Sequence, residues 1–170
     1  NTGIQRSGAT PYGAATTTSP AGDIIVGKQE LKKDLTRIVI AHNVPFAAQA
    51  SIHNWADLSR KAENALKIDG PSFLNVISPC PLGWYTKPEE STEAARLAVD
   101  VCYWPLYEVV QGVLKINYRP KQKRPIEDWL KIQGRFKHLL KIENKGLLNK
   151  LQGHINAEWE RLLTLDGRAI

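Results

Sequence analysis

Segments with helical periodicity alternate with short apolar segments along this chain, and this alternation restricts the fold more than any other feature of the sequence. Apolar residues recur at helical spacing in longer segments, separated by short runs with strand character. Such alternation favours an α/β fold with a mainly parallel sheet flanked by helices. The predicted strands are 46–50, 73–77 and a pair within 107–118. The first predicted helix covers 28–43, and the second is capped at Asn54 or Asp57 and ended by Gly70. The third helix is opened by Thr86, Pro88 and Glu89, the fourth starts at Pro125, and the last closes near Gly167.

The inward faces of these helices are predicted from the same spacing. We expect the second helix to bury Leu58, Ala62, Ala65 and Leu66, and the third to bury Leu97, Ala98 and Val101. In the fourth and fifth helices the apolar positions are Trp129, Ile132, Phe136, Leu139 and Leu140, followed by Leu148, Leu151, Ile155, Trp159 and Leu162.

Composition argues against several classes of protein. The net charge is +6, but Lys and Arg are interspersed with Asp and Glu, so nucleic-acid binding is disfavoured, although a basic nucleic-acid-binding module is kept as an alternative. No apolar stretch approaches the roughly 18 residues of a membrane-spanning helix, and no secretory signal is recognisable at the amino terminus. We therefore expect no membrane association and a cytoplasmic location.

The opening residues 1–23 are rich in Gly, Ser, Thr, Pro and Ala, and two interpretations of them stay open. They could form a flexible linker, or a loop that brings backbone and hydroxyl donors close to a phosphate. Because the chain contains no Met and opens within what looks like a functional loop, we expect it to be a fragment with a segment upstream.

Six blocks of the sequence together resemble one known family. The block 1–11, which reads NTGIQRSGATP, is similar to the signature loop of the β subunit of pyruvate:ferredoxin oxidoreductases and their 2-oxoacid relatives. The block 78–84, SPCPLGW, contains a cysteine between two prolines that the family also has. The resemblance extends in order over residues 1–11, 16–22, 45–51, 78–84, 104–108 and 129–136.

The resemblance implies a thiamine-diphosphate-binding fold, with residues 1–118 as the carboxy-terminal part of the α/β domain and 119–170 as a helical extension of the same subunit. It also implies an oxidoreductase that uses thiamine diphosphate, Mg²⁺ and a [4Fe–4S] cluster, with coenzyme A as co-substrate if the substrate is pyruvate-like. The expected partners are other subunits of the complex (of the alpha, gamma and delta type), ferredoxin and a 2-oxoacid. The fragment alone is expected to be inactive.

Four residues of the opening loop are implicated by the same resemblance. Asn1 matches the asparagine that faces the substrate and the reactive carbon, and Thr2, Gly3 and Gln5 match positions that line the cofactor loop. The magnesium ligands of the family precede Asn1. An amide can donate a hydrogen bond to a substrate oxygen as negative charge develops. Taken without the family, Asn1 more often caps a turn.

Cys80 matches the last of four cysteine ligands to the iron–sulfur cluster nearest the thiamine. Two cysteines cannot form a four-thiolate site, so the other ligands must come from elsewhere. The alternative is that Cys80 is a buried, inert thiol. Cys102 is predicted to lie in the core, and Leu82 stands where relatives often carry a small hydroxyl residue.

The predicted reaction is oxidative decarboxylation of a small 2-oxoacid with electron transfer through iron–sulfur clusters to ferredoxin. Pyruvate is the first candidate substrate and oxalate the next; 2-oxoisovalerate and 2-oxoglutarate are used by relatives, and oxalate would not require coenzyme A. Besides the nucleic-acid-binding module, a non-redox thiamine decarboxylase or synthase remains an alternative, and it would need no cluster.

Overall fold

The computed structural model describes residues 2–22 and 24–170. Within them the strands are β1 (Phe46–Ser51), β2 (Ser72–Ile77), β3 (Tyr107–Val110) and β4 (Val113–Ile116). The α-helices are α1 (Leu35–Ile40), α2 (Trp55–Lys67), α3 (Pro81–Trp84), α4 (Ser91–Asp100), α5 (Ile126–Lys131) and α6 (Lys145–Leu165). Short 3₁₀ helices cover Pro88–Glu90, Gly134–Leu140 and Ile142–Asn144.

The four described strands form one mixed sheet in the order β2-β1-β3-β4. β1 and β2 are parallel, whereas β3 is antiparallel to both β1 and β4. The predicted α/β class is therefore confirmed, but among these strands parallel pairing is confined to β1 and β2. The β3–β4 hairpin turns at Gln111 and Gly112, whose φ angles of 48° and 79° suit a tight turn between twisted strands.

The two parallel strands differ in burial because of their positions in the sheet. All six residues of β1 are buried, since this strand has neighbours on both sides. β2 lies at the edge of the described sheet, and its residues run from exposed Ser72 to buried Ile77. The prediction of a buried strand at 73–77 was thus right about the strand and right in part about its burial, since 73–76 are half-buried and Ile77 is buried.

α2 begins where the sequence predicts, and three of its four predicted inward positions are half-buried: Leu58, Ala62 and Ala65. The side chain of Asn54 accepts a hydrogen bond from the Asp57 N–H, which is an N-cap. Leu66, predicted to face inward, is 88% exposed, whereas Lys61 is fully buried. The Lys61 ammonium donates to the Gln49 carbonyl at 2.8 Å and to Asp57 Oδ2 at 2.7 Å, which satisfies the buried charge.

The predicted helix 28–43 is helical only over Leu35–Ile40, so the prediction is wrong for residues 28–34 and 41–43. α1 covers Leu35–Ile40 because Asp34 caps it, accepting from the Arg37 N–H at 3.0 Å. Before it, the backbone of Lys28 pairs with the opening loop: its N–H donates to the Ala14 carbonyl, and its carbonyl accepts from the Gly13 N–H.

Two further helices have different bounds from those predicted: one begins later and the other ends earlier. Thr86 does not form a capping box with Glu89; its hydroxyl donates to the Ile132 carbonyl at 3.0 Å, and α4 starts at Ser91 after a 3₁₀ turn. The helix predicted from Pro125 onwards ends at Lys131, because the Gly134 N–H donates to the Tyr85 carbonyl rather than continuing the helix.

The main core lies between the sheet, α4, α5 and the long α6. Leu97, Ala98 and Val101 are buried, as predicted from the spacing. α6 likewise buries its predicted apolar positions Leu148, Leu151, Ile155, Trp159 and Leu162. In the part of the chain that the structure describes, no helix combines the length and the apolar character needed to cross a membrane.

Candidate functional site

The opening loop is held in a defined conformation by hydrogen bonds to the hydroxyl-rich segment that follows it. The carbonyl of Gly3 accepts from the Thr17 N–H at 3.1 Å, and the carbonyl of Ile4 accepts from both the N–H and the hydroxyl of Thr18 at 3.0 Å. Gly3 is buried and has φ 87°, a conformation that favours glycine. These contacts favour the binding-loop interpretation over a flexible linker.

Lys28 fastens the same loop from the other side. Its ammonium donates to the carbonyls of Ser7 and Thr10 at 2.9 and 2.8 Å, and Lys28 is buried. Burial lowers the pKa of Lys28, with Glu30 acting in the opposite direction. Sequence analysis missed this contact because Lys28 was placed in a helix; the loop partners lie far from it in sequence.

Two of the loop residues that the family resemblance implicated have exposed side chains. Thr2 and Gln5 are exposed, and neither side chain takes part in the hydrogen bonds among the described residues. Both are therefore available to a ligand. Asn1, which the family resemblance implies to face the substrate, lies outside the described residues.

Cys80 stands at the carboxyl end of β2, where ligands bind in parallel sheets. It is half-buried and precedes the short helix α3, and its carbonyl accepts from the Trp84 N–H at 2.9 Å. Pro79 is buried and Pro81 is the first residue of α3, so the backbone on both sides of the cysteine is constrained. Leu82, in contrast, is 87% exposed.

The opening loop and the Cys80 loop meet backbone to backbone. A Cβ added to Gly83 would overlap the carbonyl oxygen of Thr2, and a Cβ added to Gly3 would overlap the carbonyl oxygen of Gly83. Neither position has room for a side chain. The loop that carries Thr2, Gly3 and Gln5 therefore lies directly against the helix that follows Cys80.

Arg135 packs behind these two loops. Its side chain is 1% exposed, and its guanidinium carbon lies 4.0 Å from the centre of the Trp84 ring. Its Nε and Nη2 donate to Gln133 Oε1 at 3.0 and 2.8 Å. The resemblance block 129–136 included Arg135 without giving it a role; a charged residue between apolar helix positions was the available signal.

A cavity of about 330 Å³ opens beyond the carboxyl end of β2, lined by Ile77, Ser78, Trp84, Trp129 and Arg135 among others. Tyr103 also borders it, stacked on Trp129 with ring centres 4.3 Å apart. Its buried hydroxyl oxygen has no hydrogen-bond partner among residues 2–22 and 24–170, and burial raises the pKa of Tyr103.

The described residues supply one cysteine side chain at this place. Among residues 2–22 and 24–170, no group of three or more His, Cys, Asp or Glu side chains could hold a metal ion. A metal or cluster site here would include Cys80 as one of several ligands. Cys102 is 4% exposed in the core, as predicted, and burial raises the pKa of its thiol to about 11.

Comparison with known proteins yields close relatives, although no family model matches the chain. The pyruvate synthase subunit PorB of Thermotoga maritima is 47% identical over 167 residues, which are 98% of this chain and 52% of that protein. The PorB subunit of Methanocaldococcus jannaschii is 48% identical over 139 residues, covering 82% of this chain and 47% of the relative. The ketoisovalerate oxidoreductase subunit VorB of Pyrococcus furiosus is 48% identical over 97% of this chain and 52% of its own length.

The chain thus spans about half the length of the curated relatives it matches. The matches cover most of this chain and correspond to the carboxy-terminal part of the relatives. The chain belongs to the family of PorB and VorB subunits of 2-oxoacid:ferredoxin oxidoreductases.

Proposed function

We propose that this chain is the carboxy-terminal part of the thiamine-diphosphate-binding β subunit of a 2-oxoacid:ferredoxin oxidoreductase that decarboxylates its substrate oxidatively. The observation that carries the proposal is the packing of the Thr2–Gly3 backbone on Gly83. This contact brings a loop with free polar side chains next to a cysteine at the carboxyl end of a parallel strand. Electron transfer from a cofactor to a cluster requires this kind of proximity.

The loop residues have distinct proposed roles. Thr2 and Gln5 would contact thiamine diphosphate through their exposed side chains, and the buried turn at Gly3 would set the approach of the loop. Asn1 would donate a hydrogen bond to a substrate oxygen on which negative charge develops. When bound, thiamine diphosphate supplies the electron sink for decarboxylation, with Mg²⁺ held by residues that precede Asn1.

Cys80 would provide one of four thiolates to a [4Fe–4S] cluster, and the other three would come from residues outside this chain. Iron–sulfur clusters are held by cysteine thiolates, which suits the half-buried Cys80 and not the deeply buried Cys102. The proposed complex is cytoplasmic, includes subunits of the alpha, gamma and delta type, and passes its electrons to ferredoxin.

Pyruvate is the first candidate substrate because two of the relatives are pyruvate synthase subunits. The VorB relative makes 2-oxoisovalerate the next candidate. Oxalate, which the sequence analysis placed second, remains to be compared with both. Coenzyme A would be the co-substrate for the first two.

The test uses the intact complex, purified without oxygen. Low-temperature EPR is recorded after addition of pyruvate, 2-oxoisovalerate or oxalate, each with and without coenzyme A. We expect a reduced-cluster signal with one substrate, from the wild type and from Cys102→Ala, the matched control at the other cysteine. Cys80→Ser should lose or alter that signal while thiamine diphosphate still binds.

The other outcomes distinguish the alternatives. Bound thiamine without a signal from any 2-oxoacid, together with iron content unchanged in Cys80→Ser, would favour a non-redox thiamine decarboxylase or synthase. Salt-dependent binding of nucleic acid in place of thiamine binding would favour the basic module.

A further inference from the structure

We propose that Arg135 is a positioning residue that holds the Cys80 loop and places a positive charge beside it, so that it raises the reduction potential of the cluster that Cys80 binds. The inference rests on the proposed function. It concerns a buried residue of this chain whose effect on the cluster would be electrostatic.

The guanidinium of Arg135 is held in a fixed position by two aromatic rings and an amide. It lies on the face of Trp84 at 4.0 Å and 5.1 Å from the centre of the Phe136 ring. Gln133 Oε1 accepts from two of its nitrogens, and the Gln133 amide in turn donates to the Trp129 carbonyl at 2.7 Å. Aromatic faces attract a cation, and the planar fork of arginine suits such a stack.

The backbone around Arg135 is hydrogen-bonded to both loops of the candidate site. The Gly134 N–H donates to the Tyr85 carbonyl at 3.0 Å, and the Arg135 carbonyl accepts from the Ala15 N–H at 2.9 Å. Thr86, beyond Tyr85, donates its hydroxyl to Ile132. Trp84 itself donates its N–H to the carbonyl of Cys80. The residue whose ring lies under the guanidinium is thus four positions after the cysteine, and its backbone is hydrogen-bonded to the cysteine backbone.

The guanidinium of Arg135 carries a positive charge in this buried position. Burial lowers the pKa of Arg135 to about 9, while Tyr103 and Cys80 act to raise it. The side chain therefore remains protonated at neutral pH, and its field reaches Cys80. In a water-poor interior, such a charge is screened less than at the surface. Reduction adds one negative charge to a cluster, so a nearby cation favours the reduced form.

The experiment measures the reduction potential of the cluster by EPR-monitored titration of the intact complex. The cluster in question is identified as the one whose signal Cys80→Ser alters. We expect Arg135→Gln to decrease the equilibrium constant for its one-electron reduction about tenfold, which corresponds to a potential about 59 mV lower. Arg135→Lys keeps the charge and should shift the constant less than half as far on a logarithmic scale.

Lys137→Gln is the matched control because it removes the same charge at an exposed position two residues away. It should leave the potential unchanged. Equal potentials in Arg135→Gln and the wild type would overturn the inference, and so would equal shifts in Arg135→Lys and Arg135→Gln, since a purely structural role predicts no dependence on charge. If Arg135→Gln does not assemble, the Arg135→Lys potential decides: a shift of tenfold or more overturns the inference.

Failure of the proposed function has a different signature. In that case Cys80→Ser leaves the iron content and every cluster signal unaltered. If Cys80→Ser alters one signal and Arg135→Gln does not shift its potential, the inference about Arg135 fails by itself.

Discussion

The carbonyl oxygen of Thr2 occupies the space into which a side chain of Gly83 would project. This contact joins the opening loop to the helix after Cys80 without any side chain between them. Two backbones can approach so closely only where a glycine lies at the contact, so the requirement for glycine at position 83 is steric. The geometry makes the separation of the two loops sensitive to a single methyl group.

Gly83→Ala should therefore separate the two loops. We expect a loss of stability of about 3 kcal/mol, the upper range for overpacking, together with weaker binding of thiamine diphosphate. Thermal unfolding of the intact complex with and without thiamine diphosphate, and calorimetric titration, would measure both effects.

Gly153→Ala is the matched control for this change. Gly153 lies inside α6, and an added Cβ would have no described atom within 4 Å apart from its chain neighbours and the backbone of its own helix. Alanine is favoured over glycine in a helix by about 1 kcal/mol, so stability should stay the same or increase. Unaltered thiamine binding in Gly83→Ala would contradict the packing of the two loops.

Lys61 is expected to be important through its volume as much as its charge. Lys61→Ala leaves a cavity and removes donors from Gln49 and Asp57, and should cost about 3–5 kcal/mol. Lys61→Met fills the same space, and Asp57 keeps its ion pair with Arg60 at 2.8 Å, so the loss should be clearly smaller. Denaturant unfolding of both variants measures the difference; equal losses would show that the charge dominates.

The pH dependence of the stability of the wild type, compared with that of Lys61→Met, gives a second measurement. Burial lowers the pKa of Lys61 below 10.5, and Asp57 opposes this shift. Because the folded state then holds this proton less tightly than the unfolded state, stability rises with pH between the folded pKa and 10.5. The stability of the wild type relative to Lys61→Met should increase as pH rises through that window. A decrease would mean that Asp57 outweighs burial.

Local signals in the sequence were sufficient for some elements and insufficient for others. β1, the hairpin at Gln111–Gly112 and α6 were predicted because the spacing of apolar residues, the turn residues and the length of each segment indicate the same kind of element. The burial of Lys61 in α2 was not predicted, because Lys61 finds its partners on β1 and on its own helix, and a hydrophobic pattern treats lysine as exposed.

The candidate site was predictable residue by residue but not as an arrangement. The family resemblance pointed to Thr2, Gly3, Gln5 and Cys80 separately, and their roles remain predictions. Their proximity depends on Gly83, which pairs with residues distant in sequence. The position of Arg135 behind the two loops was not predicted either. It depends on the break in the predicted helix before Gly134, which is caused by a hydrogen bond from the Gly134 N–H to the Tyr85 carbonyl.

Leu82 and Leu97 offer the same substitution in opposite environments. Leu82→Ala should change stability by less than about 0.5 kcal/mol because the side chain is exposed. Leu97→Ala, in the core, should cost about 2–5 kcal/mol. Denaturant unfolding of the subunit provides the comparison. A loss at Leu82 comparable to that at Leu97 would contradict its exposed position beside Cys80.

The thiol of Cys102 should be inert at ordinary pH. Burial raises its pKa from 9.0 to about 11, and the thiolate is the reactive form. Iodoacetamide should leave Cys102 unmodified in the native complex at pH 8 and react about tenfold faster per pH unit up to about pH 11, as mass spectrometry of the peptides would show. In urea, Cys102 should react readily at pH 8. Because the folded pKa lies above the unfolded value, the stability associated with this thiol is fully present below pH 9 and is lost as pH rises towards 11. Modification at pH 8 as fast in the native complex as in urea would contradict the buried position of Cys102.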